Sequence, residues 1–321
     1  MMARSFLLAN LVLLTAGAAA AQNPVFQSET RIVQVAVVAK DPHDEPVTDL
    51  TVDDLRVFDN SVEQKILSFE KLWDPPRAAD GLPIGLPPKR RSVILLDMLQ
   101  PPNPGKPFQI YGRQDAAEML KRIPQTLDTV AVFALSDELK MLHDFSPFTF
   151  GLRGALEGFG GQPPAMPPAN MLLWKLKSLT KLAHMMEDIP GEKNLLWVAP
   201  SFPPPNDMQE VVPAIRALIA ARVSLYPVCL ISQLAGPIAY EKVDGVRELA
   251  ELTGGRAYYS GDSLADLLVA AMNDSREGYL LSFTPARYRA DGSVHDVKLK
   301  IERKGIELRY RPSYSAVPAG K

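Results

Sequence analysis

The sequence predicts an α/β protein: a doubly wound, largely parallel sheet inserted in a β-sandwich that the N- and C-terminal segments build together. Three observations predict it. Ser92-Val93-Ile94-Leu95-Leu96-Asp97 is a short, continuous apolar run, the pattern of a central parallel strand covered on both faces. Strand-like and helix-like stretches alternate across 91–276, which argues for a parallel sheet with helices on both sides. Strand-like stretches flank that region at 28–74 and 277–315. Each set is thin for an independent core, so the two are expected to share one.

The elements follow in chain order. Residues 1–21 read as a signal peptide: Arg4 is the positive n-region, Phe6 to Thr15 the apolar h-region, and Ala19-Ala20-Ala21 the small-residue cleavage site before Gln22. The expected mature protein is exported, periplasmic or secreted. No later stretch reaches membrane-spanning length without charges. In 28–74, strands are expected around 31–39, 55–59 and 65–69, with turn chemistry at Asp41-Pro42-His43-Asp44-Glu45-Pro46 and Asn60-Ser61. Residues 75–90 form a Pro-rich linker ending on Lys89-Arg90.

Within 91–276, strands are expected at 92–97, 129–135, 139–144, 194–199, 223–229 and 256–260. Helices are expected at 113–123, 170–187, 208–221, 243–252 and 263–274. The step from 135 to 139 is too short for a crossover helix, so 139–144 should be an antiparallel edge strand. Leu172, Leu173, Leu176, Leu179, Leu182, Ala183 and Met186 recur at helical spacing and read as core packing. In 277–315, Val297, Leu299 and Ile301 alternate with Lys298, Lys300 and Glu302, the mark of a half-buried antiparallel strand.

Composition narrows the function classes. The chain has 321 residues, 46% hydrophobic and 22% charged, with a formal net charge of −2. That is ordinary for a globular protein and gives no electrostatic case for nucleic acid. Cys229 is the single cysteine, so no internal disulfide forms; its strand-like setting reads as a buried small hydrophobe. No Gly-x-Ser-x-Gly elbow, Walker loop or His-Glu-x-x-His occurs. His43, His143, His184 and His295 are scattered without ligand spacing. Asp53-Asp54 and Asp41…Asp44-Glu45 read as turn and capping groups rather than a calcium loop. No cofactor is implied.

Several stretches together resemble von Willebrand factor A-like proteins, specifically the exported "VWFA-related" family of acidobacterial type. They are Asp41…Pro46-Val47-Thr48-Asp49-Leu50-Thr51…Asp54-Leu55-Arg56-Val57-Phe58-Asp59-Asn60, then Val93 to Asp97, then Asn194-Leu195-Leu196-Trp197-Val198. Leu249-Ala250-Glu251-Leu252-Thr253-Gly254-Gly255-Arg256-Ala257-Tyr258-Tyr259 and Gly278-Tyr279-Leu280-Leu281-Ser282-Phe283-Thr284-Pro285 complete the set. The resemblance covers nearly the whole mature chain and implies a site at the carboxyl end of the first A-domain strand. In family members with a metal-ion-dependent adhesion site, an Asp-x-Ser-x-Ser loop, a Thr and a further Asp hold Mg²⁺. Here Asp97 matches the first Asp, but Leu99 and Pro101 stand at the two Ser positions. Ser201 follows the later strand where an Asp is expected, and the loop 160–168 contains no Thr. A hard cation needs several oxygen ligands, so the site reads as degenerate and metal-free.

The three loops expected at that end are rich in proline: Pro101, Pro102, Pro104 and Pro107; Pro163, Pro164, Pro167 and Pro168; Pro200, Pro203, Pro204 and Pro205. Proline stiffens a loop and removes backbone donors, and the apolar residues among them suit a contact surface. The sequence therefore predicts a non-enzymatic interaction module. Its candidate contacts are Asp97, Met98, Gln100, Pro102, Met166, Ser201, Phe202 and Pro204. The expected partner is another protein of the cell envelope or surface, with no nucleic acid and no membrane span. The alternatives are metal-assisted adhesion through Asp97 and an exported hydrolase with an unrecognised site.

Overall fold

The computed structural model of the chain describes residues 32–72, 90–99, 108–122, 129–147, 149–159, 170–199, 208–229, 246–259, 263–276 and 278–316. The described residues all belong to one compact unit. Residues 1–21, expected to be a signal peptide, most of the expected linker 75–90 and the Pro-rich stretches of all three loops lie outside the described residues.

The central sheet has five strands: β5 (Arg90–Asp97), β6 (Thr129–Leu135), β7 (Leu139–Ser146), β8 (Glu192–Val198) and β9 (Val223–Val228). Their spatial order is β7-β6-β5-β8-β9, with β5 in the middle. It runs parallel to β6 and β8, β8 runs parallel to β9, and β7 is the antiparallel edge. The β6–β7 hairpin therefore matches the short connection seen in the sequence. Leu142 is the extra residue where the register slips between the Val132–His143 and Phe133–Met141 pairs, a bulge of the kind that bends edge strands.

Side-chain alternation along β5 splits the core into two layers. Val93, Leu95 and Leu99 join one cluster, with α3 (Met171–Met185), α4 (Val212–Ala220) and the helix α5 described over 246–252. Ile94, Leu96 and Met98 join the other, with α1 (Phe108–Arg122), α2 (Thr149–Gly158) and α6 (Leu264–Arg276). The α3 stripe is core packing as expected: Leu176, Leu179, Leu182, Ala183 and Met186 are buried, while Leu173 is exposed. Asn170 caps that helix by accepting a hydrogen bond from the Leu173 N–H at 2.9 Å.

Two expectations need correction. The sequence showed no helix at 149–158, because Gly151, Gly154 and Gly158 depress helix propensity. The helix α2 forms there because Leu152 and Leu156, one turn apart, are both fully buried. Gly151 lets it lie close on β7, since a Cβ there would sit 2.8 Å from Nε2 of His143. The strand expected at 256–260 reduces to an isolated parallel bridge between Val228 and Tyr258.

Strands from the two ends of the chain interleave. These are β1 (Val33–Lys40), β2 (Leu55–Asp59), β3 (Val62–Gln64), β4 (Ile66–Lys71), β10 (Tyr279–Phe283), β11 (Val294–Ile301), β12 (Glu307–Tyr310) and β13 (Ser313–Ser315). One four-stranded sheet has the order β12-β1-β10-β4 and the other β13-β11-β2-β3. A single buried cluster draws Val35, Val37, Leu281 and Phe283 from the first, and Leu55, Val57, Val297 and Leu299 from the second. Neither terminal segment could bury these side chains without the other. Tyr279 secures the arrangement: its hydroxyl donates to the Val47 carbonyl and accepts from the Leu50 N–H, both at 3.0 Å.

Charged pairs join these sheets to the α/β segment. Arg311 donates to Glu192 at the start of β8 at 2.8 Å, with both side chains buried. Arg309 pairs with Asp274 of α6, and Arg256 pairs with Asp44 at 2.7 Å. The Thr253-Gly254-Gly255 turn after α5 lies in the same seam. Oγ1 of Thr253 bonds the Leu249 and Ala250 carbonyls and accepts from the Leu225 N–H. A Cβ on Gly254 would lie 2.6 Å from the Arg311 nitrogen, and one on Gly255 only 1.8 Å from the Leu225 carbonyl oxygen.

Candidate functional site

Asp97 is the last residue of the central strand, where open α/β sheets place ligands. Its position follows from the strand, but its environment does not. Counting along β5, Asp97 shares a face with Val93, Leu95 and Leu99, so it points toward α3. There the Nζ of Lys175 meets its Oδ2 at 2.8 Å, and both side chains are 0% exposed. Trp197, on the neighbouring strand β8, donates its Nε1–H to the same Oδ2 at 3.0 Å. The backbone N–H of Leu99 donates to Oδ1 at 3.0 Å. The Lys175 ammonium also lies 6.0 Å from the centre of the Trp197 ring, the outer limit of a cation–π contact.

Both carboxylate oxygens are thus occupied by donors from within the chain. A buried carboxylate is tolerated only when paired and hydrogen-bonded, and Lys175, Trp197 and Leu99 meet that requirement together. A hard divalent cation does not fit this donor set. It would need four or more further oxygen ligands, whereas position 99 supplies a leucine side chain and the nearest charge is an ammonium. Among the described residues no group of three His, Cys, Asp or Glu side chains could hold a metal ion.

Asp97 is fully buried. Cys229, on the same face, is buried, and burial pushes its thiol up to about 11 despite the opposing charge of Lys175. It is a core residue, not a nucleophile.

The structure changes the standing of two sequence-assigned contacts. Asp97 and Met98 are 0% and 1% exposed and offer no surface to a partner. Asp97 is sealed by α3, and Met98 packs into the opposite layer with α1, α2 and α6. Gln100, Pro102, Met166, Ser201, Phe202 and Pro204 lie outside the described residues. Sequence reasoning missed Lys175. The available signal was its spacing: it stands three residues after Leu172 and four before Leu179, on the apolar stripe of α3. A lysine on a buried helical face needs an acidic partner, and Asp97 is the one it finds.

Several of the other polar groups weighed from sequence have structural partners. Asp41 accepts the N–H groups of His43 and Glu45, and Asp54 accepts that of Thr51 in a capping box. His295 is buried against Asp59, Nδ1 to Oδ1 at 2.9 Å, and the Tyr314 hydroxyl lies 3.2 Å from the same oxygen.

No family model matches the chain, and no curated protein matches it. Among solved structures, a von Willebrand factor type A protein from Catenulispora acidiphila is similar over 92% of this chain and 75% of that one, at 8% identity and a TM-score of 0.43. BatB, a conserved hypothetical protein from Bacteroides thetaiotaomicron, is similar over 58% of this chain and 97% of its own, at 8% identity and a TM-score of 0.41. The PilB minor pilin from Streptococcus sanguinis is similar over 60% of this chain and 62% of its own, at 12% identity and a TM-score of 0.40. No helix among the described residues is long and apolar enough to cross a membrane.

Proposed function

We propose that the chain is an exported, non-enzymatic protein-interaction module of the VWFA-related type, with a doubly wound α/β domain inserted in a β-sandwich. It binds through the loops at the carboxyl end of the parallel sheet, without a divalent cation. The observation that carries the metal-free part is the 2.8 Å pair between Lys175 and Asp97. A tethered ammonium stands where a bound cation would otherwise neutralise the carboxylate. The pairing of β5 and β8 supports the choice of surface. The two strands run parallel and adjacent, so Leu99 and Ala199, which the Pro-rich stretches follow in the sequence, stand at the same end of the sheet. With Asp97 and Met98 buried, the contact residues of this reading are Gln100, Pro102, Met166, Ser201, Phe202 and Pro204.

Capture of envelope proteins by the immobilised mature chain tests the reading. Phe202→Ala is expected to weaken capture about 5–150-fold, because aromatic anchors dominate interface energetics at roughly 1–3 kcal/mol each. Capture should persist in EDTA. Capture that requires a divalent ion, or that survives changes in all three loops, contradicts the proposal.

A further inference from the structure

The open edges of the two antiparallel sheets are unequal. The terminal strands β3, β12 and β13 are three or four residues long. The remaining one, β4, has six residues, Ile66-Leu67-Ser68-Phe69-Glu70-Lys71. Among the described strands it pairs with β10 alone. An edge of this length presents a row of backbone groups that another strand can use. It contains no proline, and Leu67 stands on it 51% exposed.

The pairing with β10 fixes which backbone groups face outward. Leu72 donates its N–H to the Gly278 carbonyl at 2.9 Å. By the antiparallel alternation, Glu70 and Ser68 also turn their backbone groups toward β10, and Phe69 turns its N–H and C=O to the open edge. The register then slips. Ser282 pairs with Ser68 and Phe283 with Ile66, which leaves Leu67 as the extra residue of a bulge. The slip resets the alternation, so Ile66 faces the open edge as Phe69 does. The side chains agree, because Ile66 and Phe69 both pack against the core that the two sheets share. Lys65 and Glu70, each next in the chain to one of these, fall on the outer face and are exposed.

The segment Lys65-Ile66-Leu67-Ser68-Phe69-Glu70 is complementary to its own reverse. Laid antiparallel on a second copy, about a twofold axis between Leu67 and Ser68, Lys65 faces Glu70, Ile66 faces Phe69 and Leu67 faces Ser68. We propose that β4 is a self-association edge, on which two copies of this chain pair in that register. Ile66 and Phe69 both turn backbone groups outward, so each such pair can exchange two main-chain hydrogen bonds. Their side chains extend the apolar core of one copy into that of the other. The twofold axis repeats the Lys65–Glu70 contact, so opposite charges meet on both sides of it. A bulge ordinarily keeps a regular strand from adding to an edge. Here the bulge of one copy lies opposite the bulge of the other, and the two exposed Leu67 side chains come together beside the axis. A second copy therefore fits this edge where an unrelated straight strand does not. The contact uses neither Asp97 nor the Pro-rich loops.

Sedimentation of the full mature chain over a range of concentrations tests the proposal. The wild type should pass from monomer to dimer as concentration rises. Lys65→Glu and Glu70→Lys each set like charges opposite one another on both sides of the axis, and each should weaken the dimer about tenfold. The double variant Lys65→Glu/Glu70→Lys restores opposite charges and should recover the wild-type dimer. Leu67→Lys, at an exposed position, should fold normally and abolish the dimer, as lysine on an edge strand does. Amide exchange gives a second readout, in which the Ile66 and Phe69 N–H groups gain protection as concentration rises. A chain that stays monomeric up to about 1 mM overturns the proposal. So does a dimer that none of these substitutions weakens, or a double variant as weak as the single ones.

Discussion

Lys175→Met is expected to lower folding stability by about 3–5 kcal/mol, the range for breaking a buried ion pair from one side. The substitution conserves most of the side-chain volume and removes the charge. Asp97 then remains 0% exposed with only Trp197 and Leu99 as donors, and a carboxylate so placed must either protonate or draw water into the core. Asp97→Asn should cost a similar amount, because it leaves the Lys175 ammonium facing an amide. The double variant Asp97→Asn/Lys175→Met should cost clearly less than the sum of the two, because no uncompensated charge remains. Urea midpoints of the four proteins measure this coupling. Single variants that each lose less than about 1 kcal/mol, the scale of an exposed pair, would mean that the pair is open to solvent.

Gly255→Ala should be the more severe change for assembly of the fold. The added Cβ would lie 1.8 Å from the Leu225 oxygen and 2.6 Å from its carbonyl carbon. Both atoms belong to β9, which is hydrogen-bonded into the central sheet, so neither can give way without shifting the strand. The 253–259 segment would have to lift away, losing the bond from the Leu225 N–H to Thr253 and the Val228–Tyr258 bridge. A loss of more than about 4 kcal/mol, or no folded protein, is expected. Gly292→Ala is the control. Its φ is 76° but no atom lies within 4 Å of the added carbon, so it should cost about 1–2 kcal/mol for the left-handed backbone alone. Melting temperatures of the two variants separate the effects; similar values would show that the seam is loose.

Much of the fold was legible because strands buried on both faces leave continuous apolar runs. The runs at 92–97, 129–135 and 223–228 need no tertiary information to be recognised. The hairpin edge was legible from loop length alone. Two short elements were not. The three glycines of α2 argue against a helix until Leu152 and Leu156 are seen to be buried in the core, with Gly151 lying against the His143 ring. The run at 256–260 resembles a strand, but only Tyr258 bridges to Val228.

The site was legible in place and not in state. An acidic residue at the carboxyl end of the central strand can be found from sequence, and so can the absence of serine at positions 99 and 101. Whether that carboxylate meets solvent depends on α3, which lies about eighty residues further along the chain. Lys175 sits among leucines that any helical reading assigns to the core, and its charge makes it the exception. Its pairing with Asp97 is a tertiary fact, set by how α3 crosses the sheet beside Trp197.

Titration of the wild-type mature protein with Mg²⁺, Mn²⁺ and Ca²⁺, followed by melting temperature, tests most directly whether Lys175 has taken the place of a metal. A cation site with a dissociation constant of about 10 μM would add roughly 2.7 kcal/mol at about 1 mM ion, a shift of several degrees at most for a protein of this size and readily measured. The buried ammonium predicts no divalent-specific shift at these concentrations. A clear rise with Mg²⁺ or Mn²⁺ that disappears in Asp97→Asn would contradict it.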